Sequence, residues 1–116
     1  MNELIESIFN GFKVDGVDIP VAFMYYEAHD EPYVVYMEQD AGNSLSGDDD
    51  LIGYVLYYDF DVFSKGNYFN IVESIKQKMK ANGFVWQPSR SNRTIFDADT
   101  GYYHKTLNFA IYKEEK

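Results

Sequence analysis

Apolar and polar residues alternate most strictly over residues 51–63. Tyr54, Leu56, Tyr58, Phe60 and Val62 fall on one side, and Val55, Tyr57, Asp59, Asp61 and Phe63 on the other. A period of two over this length predicts a β-strand. Asp59 and Asp61 put two acids on the second side, so that face is expected to be wet toward its end. Residues 102–112 alternate in the same way, with Lys105, Leu107, Phe109 and Ile111 against His104, Thr106, Asn108, Ala110 and Tyr112. Shorter strands are expected at 21–26, after Pro20, and at 33–38. The turn holding His29, Asp30, Glu31 and Pro32 between them predicts an antiparallel hairpin. Residues 84–86 begin another strand that bends at Pro88, residues 89–93 form a polar turn, and the strand resumes at 94–96.

Two segments carry helical spacing instead. Over residues 2–10, Ile5, Ile8 and Phe9 share a face with Leu4 at its edge, Asn2 suits the N-cap, and Asn10-Gly11 supplies a stop. Over residues 67–82, Tyr68, Val72, Ile75 and Met79 form an apolar stripe widened by Ile71, and Gly83 terminates it. Asn70 and Glu73 have the spacing of a capping box, so the regular helix is expected to start there. Residues 39–50, with two Gly, two Ser and four Asp, read as a mobile loop. The expected order is α-β-β-β-α-β-β. This is one α+β domain over residues 1–116, with a mainly antiparallel sheet of about five strands and two helices packed on one face.

Charge changes the picture. Residues 1–63 hold one basic residue, Lys13, against fourteen acids, while residues 64–116 hold nine basic residues against five acids. The halves therefore carry about −13 and +4 within an overall −9. A self-complementary layout of this kind points to head-to-tail assembly with copies of the same chain or with a neighbour. Eleven Tyr, nine Phe and one Trp supply rings suited to half-buried sheet faces and subunit interfaces. The absence of cysteine excludes disulfides, thiolate zinc sites and a cysteine nucleophile. The first residues carry acid rather than the basic flank of a signal peptide, and no apolar run approaches the roughly 18 residues of a membrane span. The negative balance argues against binding nucleic acid through its phosphates.

Candidate chemistry is sparse. Asp48, Asp49 and Asp50 could offer oxygen ligands to a cation, but no second ligand set stands at a diagnostic spacing. Asp97, Asp99 and Gly101 imitate the start of a calcium loop and lack its continuation, so a β-turn is the better reading. His29 and His104, the two histidines, have no nucleophile framed for them, and Gly42, Gly47 and Gly53 are too scattered for a phosphate loop. Asp59 with Asp61 could do acid–base work, and Arg90 with Arg93 beside Trp86 could touch a nucleic-acid strand. The plainer reading makes Asp59, Asp61, Arg90 and Arg93 contacts between subunits. No catalytic residue, metal or cofactor is expected.

Taken in order, these elements resemble the small tail-terminator and tail-completion proteins of long-tailed bacteriophages and prophages. The likeness covers most of the chain. It runs through Val21-Ala22-Phe23-Met24-Tyr25-Tyr26 and Glu31-Pro32-Tyr33-Val34-Val35-Tyr36. It continues in the strand with Tyr54, Tyr57, Tyr58 and Phe63, the helix with Ile71-Val72-Glu73-Ser74-Ile75, and Gly83-Phe84 before a terminal hairpin. The resemblance implies a structural ring, commonly hexameric, that caps the tail tube and meets the head–tail connector. It implies assembly in the host bacterial cytoplasm, a place in the virion neck, and no catalysis. On that reading the loop acids Asp40, Asp48, Asp49 and Asp50 serve assembly, or line a lumen through which DNA passes without sticking. Two other classes stay open: an acidic inhibitor that mimics DNA and binds a basic protein, and an enzyme using Asp59 and Asp61.

Overall fold

The computed structural model describes residues 2–27, 31–39, 45–47, 50–66, 68–91 and 94–114. Helix α1 (Asn2–Ile8) is followed by strands β1 (Lys13–Val14), β2 (Val17–Asp18), β3 (Val21–Phe23), β4 (Tyr33–Glu38), β5 (Leu45–Gly47) and β6 (Asp50–Ser64). Helix α2 (Phe69–Ala81) leads to β7 (Val85–Trp86), a 3₁₀ turn at Pro88–Arg90, β8 (Ile95–Asp97) and β9 (Tyr102–Glu114). The class is α+β with two helices and a mostly antiparallel sheet, as the alternation predicts. The strand count and order differ from the expected five. One seven-stranded sheet runs β3-β4-β6-β9-β7, with β5 on β6 and β8 on β9, and β1 and β2 form a separate ribbon.

Strands β6 and β9 make the spine. They pair antiparallel without a break from Gly53 opposite Glu114 to Ser64 opposite Tyr103. Because both alternate, this register gathers Tyr58, Phe60, Val62, Leu107 and Phe109 on one face, joined by Val34 and Tyr36 of β4. Ile5 from α1, Phe9 just beyond its end, and Ile71, Val72, Ile75 and Met79 from α2 complete that core, so both helices cover the same face. Phe60 is its centre, with the rings of Phe9, Tyr36 and Phe109 at 5.5, 5.5 and 5.6 Å.

Several local readings are corrected. Strands β3 and β4 run parallel, Val21 opposite Val34, where a hairpin was expected. The reason lies at Met24, whose φ of 67° places it in the left-handed region. The Tyr25 N–H donates back to the Phe23 carbonyl at 2.8 Å. This three-residue turn takes the chain off the end of β3, and β4 starts at Tyr33. Asn70 is no cap: α2 starts one residue earlier, and the Asn70 Nδ2 donates to Asp15 at 2.7 Å. Asn2 lies inside α1 rather than at its N-cap. The segment read as a loop over 39–50 contains β5, paired with the start of β6, while residues 40–44, 48 and 49 lie outside the described residues. The β1–β2 hairpin was overlooked although Asp15-Gly16 announces it. Both residues have positive φ, 51° and 81°, as a two-residue type I′ turn requires.

Replacing Phe60 with alanine is expected to cost about 3–5 kcal/mol, a large share of the ~5–15 kcal/mol a domain possesses. The exposed Val17→Ala should stay within ~0.5 kcal/mol. Equilibrium urea unfolding measures both; equal effects would remove Phe60 from the centre of the core.

Candidate functional site on the open face of the sheet

The same register that buries one face builds ordered rows on the other. Tyr33, Phe63 and His104 stand side by side across β4, β6 and β9; Val35, Asp61 and Thr106 form the next row, and Met37, Asp59 and Asn108 the third. Among the described residues neither α-helix covers these rows. The first row is a stack: Tyr33 to Phe63 at 4.6 Å and 11°, Phe63 to His104 at 4.4 Å and 12°. Tyr102 meets Tyr33 edge-on at 5.4 Å, and the Lys65 ammonium lies 5.2 Å from the Tyr102 ring centre. A groove of about 740 Å³ opens here, walled by Tyr33, Phe63, Ile95, Phe96, Tyr102 and His104 with Lys65 at its side.

In the second row the Asp61 Oδ1 accepts from the Thr106 hydroxyl at 2.6 Å and from the His104 Nε2 at 3.2 Å. Partial burial pushes the Asp61 carboxyl upward, but the hydrogen bonds from His104 and Thr106 and the nearby imidazole charge outweigh it, holding Asp61 below the ordinary carboxylate value. Thr, His and Asp together suggest a hydrolytic relay, and the geometry does not align as one. Thr106 and Asp61 both approach the same ring nitrogen, and the Thr106 proton goes to Asp61 rather than to the imidazole.

In the third row the Asp59 Oδ1 accepts from the Asn108 Nδ2 at 2.7 Å, and its Oδ2 from the Gln39 Nε2 at 2.5 Å. Asn108 is buried, and no described group donates to its Oδ1. Beside this row the guanidinium of Arg90 lies 3.9 Å from the centre of the Tyr57 ring. The 3₁₀ turn that carries Arg90 is tied down by Ser91, whose Oγ accepts from the Asn108 N–H at 3.0 Å and from the Trp86 indole at 3.1 Å. Gln39, Asp59, Arg90 and Asn108 enclose a polar cleft of about 270 Å³.

The fold thus brings Asp59 and Arg90, each expected from the sequence to contact another subunit, into one cleft of one chain. Asp61 is half-buried and occupied by its own neighbours rather than wet. Asp50 opens β6 opposite Gly47. Asp40, Asp48, Asp49, Arg93 and His29 lie outside the described residues. Thr106, Asn108 and Gln39 were not singled out. The alternation had already placed Thr106 and Asn108 on the second face of their strand, but only the β6–β9 register sets them opposite Asp61 and Asp59. Among the described residues no group of three or more His, Asp or Glu is placed to hold a metal ion, and no helix is long and apolar enough to cross a membrane.

No protein-family model matches this chain, and no curated protein matches it.

A lowered carboxyl favours the charged form in the folded state, so Asp61 contributes stability above the unfolded value near ~4 and loses it as pH falls through the lower folded value. Asp61→Asn is expected to cost about 1–3 kcal/mol at pH 7 and progressively less in acid. Urea unfolding of both proteins across that range decides it; a cost independent of pH would mean that the charge is not what stabilises the row.

Proposed function

We propose that the chain is a structural subunit that joins copies of itself into a ring, and that the ring is the tail terminator of a long-tailed bacteriophage or prophage. It stops the tail tube and presents a surface to the head–tail connector. The supporting observation is the sheet itself. Its rims are β3 and β5 on one side and β7 and β8 on the other, none of which pairs further among the described residues, and apolar side chains stand exposed on both rims. An unpaired sheet edge is a template for association unless it is covered. Unlike edges joined head to tail make a heterologous contact, which closes into a ring when the rotation between neighbours allows. The acidic first half contributes one edge and the basic second half the other, so opposite charge draws the unlike edges together. Six copies per ring, tail-tube and connector partners, and assembly in the host cytoplasm belong to this reading through the family resemblance.

Asp59 and Asp61 are engaged inside their own chain, so the attraction falls to exposed charges elsewhere. The same engagement weakens the reading as a DNA-mimicking inhibitor, which needs its acids spread free over one face.

Light scattering coupled to size-exclusion chromatography tests the ring. A hexamer-sized species is expected at low ionic strength, dissociating as the Debye length shrinks from about 10 Å at 0.1 M to about 3 Å at 1 M salt. A monomer at every salt and protein concentration would overturn the reading.

A further inference from the structure

The two sheet edges differ in shape as well as charge. At the end of β3 the backbone pivots on Met24, whose φ of 67° is a conformation that side-chain-bearing residues rarely adopt. The bond from the Tyr25 N–H to the Phe23 carbonyl closes the rarer, strained form of γ-turn around it. Glycine would take this turn without strain, yet the chain places Phe23, Met24 and Tyr25 here, exposed to 41, 61 and 73%. A strained corner that carries three large apolar side chains into solvent is spent on something outside its own core. Glu27 follows it, also exposed.

At the opposite edge, Phe84, Val85 and Trp86 line a slot of about 330 Å³ between β7 and α2. Lys76 and Lys80 complete its walls, the Lys76 ammonium resting 3.7 Å from the centre of the Trp86 ring. Val85 stands 60% exposed. The volume is at the small end for ligand sites, roughly 300–1,000 Å³, and suits one or two side chains.

Register places Phe23 and Trp86 on the helix-bearing side and at similar heights, while Val85, opposite Ala110, faces the other side. Phe23 lies in the row of Tyr36, Phe60 and Leu107, and Trp86 in the row of Tyr58 and Phe109, two residues along β9. A neighbour displaced sideways brings the corner of one copy to the slot of the next. The corner lies in the half with one basic residue, the slot in the half with nine.

We propose that the Phe23–Met24–Tyr25 corner of one copy seats in the Phe84–Val85–Trp86 slot of the next, with Glu27 facing the Lys76 and Lys80 rim. The occupant is a second copy of this chain, because the corner lies in the acidic half, the slot in the basic half, and the two stand on opposite edges of one sheet. This contact deepens the ring reading and rests on self-assembly.

The chain has no cysteine, so introduced thiols report unambiguously. Met24→Cys and Lys80→Cys proteins are prepared separately, checked by circular dichroism, and treated with a short bis-maleimide alone and as a mixture. The expected result is a cross-linked dimer in the mixture and little in either protein alone. Linkage within Met24→Cys alone, or no mixed product at concentrations where the wild type associates, overturns the proposal. A chain that never associates also overturns it. Met24→Gly supplies an independent reading. It removes the knob and relieves the turn, so the melting temperature should hold or rise while association weakens at least tenfold; unchanged association would count against the contact. Outcomes for the two proposals separate. A ring whose cysteine pair does not link keeps the ring and loses this contact, and a mixed dimer from a chain that light scattering shows to associate without a fixed size keeps the contact and loses the ring.

Discussion

Everything in this protein depends on the register of β6 against β9. A strand presents successive side chains to opposite faces, so a slip of one residue would exchange the faces of one strand against its partner. Phe60 would then face Thr106 or Asn108 instead of Leu107, and Asp59 and Asp61 would turn toward the helices. The observed register avoids both. It sets apolar against apolar at Tyr58–Phe109 and Phe60–Leu107, and polar against polar at Asp59–Asn108 and Asp61–Thr106. Unpaired polar groups in a core cost several kcal/mol each, so the two faces specify the same alignment.

The two faces do different work. The helix side supplies stability through close-packed rings and aliphatic chains, with α1 and α2 burying their stripes on one sheet face. The open side supplies a set of charge-assisted hydrogen bonds whose members come from strands far apart in sequence, Asp61 with Thr106 and Asp59 with Asn108 and Gln39. Those bonds engage Asp59 and Asp61, two of the nineteen acids, and leave long-range attraction to charges elsewhere, the exposed Glu27 beside the apolar corner among them.

Much of this was legible before any coordinates. Strict alternation located β6 and β9, and the 3.6-residue spacing of Val72, Ile75 and Met79 located α2. What failed was anything requiring a partner. The β3–β4 pair looks like a hairpin from spacing alone, and only the left-handed Met24 makes it parallel; nothing about a methionine announces positive φ. Asn70 looks like a cap because the capping pattern is local, while its real partner, Asp15, is remote. That Asp59 and Arg90 share one cleft could not be read either, because β6 and the 3₁₀ turn that carry them meet only in the fold. The Asp15-Gly16 turn is the opposite case: its chemistry is plain in the sequence, but the two-residue strands it joins are too short to show alternation.

The edges follow from the same constraint. A sheet built on two long central strands and completed by short ones has little with which to protect its rims: β3 has three residues and β7 two. Short edge strands ordinarily limit sticking because they offer few unpaired backbone groups. Here that protection is undone by side chains, since Phe23, Met24 and Tyr25 on one rim and Val85 and Trp86 on the other are large and exposed. Backbone pairing between copies is therefore a poor basis for association, and side-chain packing with charge steering a better one. A strained turn on one rim and a lysine-rimmed slot on the other are unlike surfaces. Unlike surfaces favour a neighbour that is displaced and rotated rather than turned through a two-fold axis, because a two-fold axis sets each rim against itself.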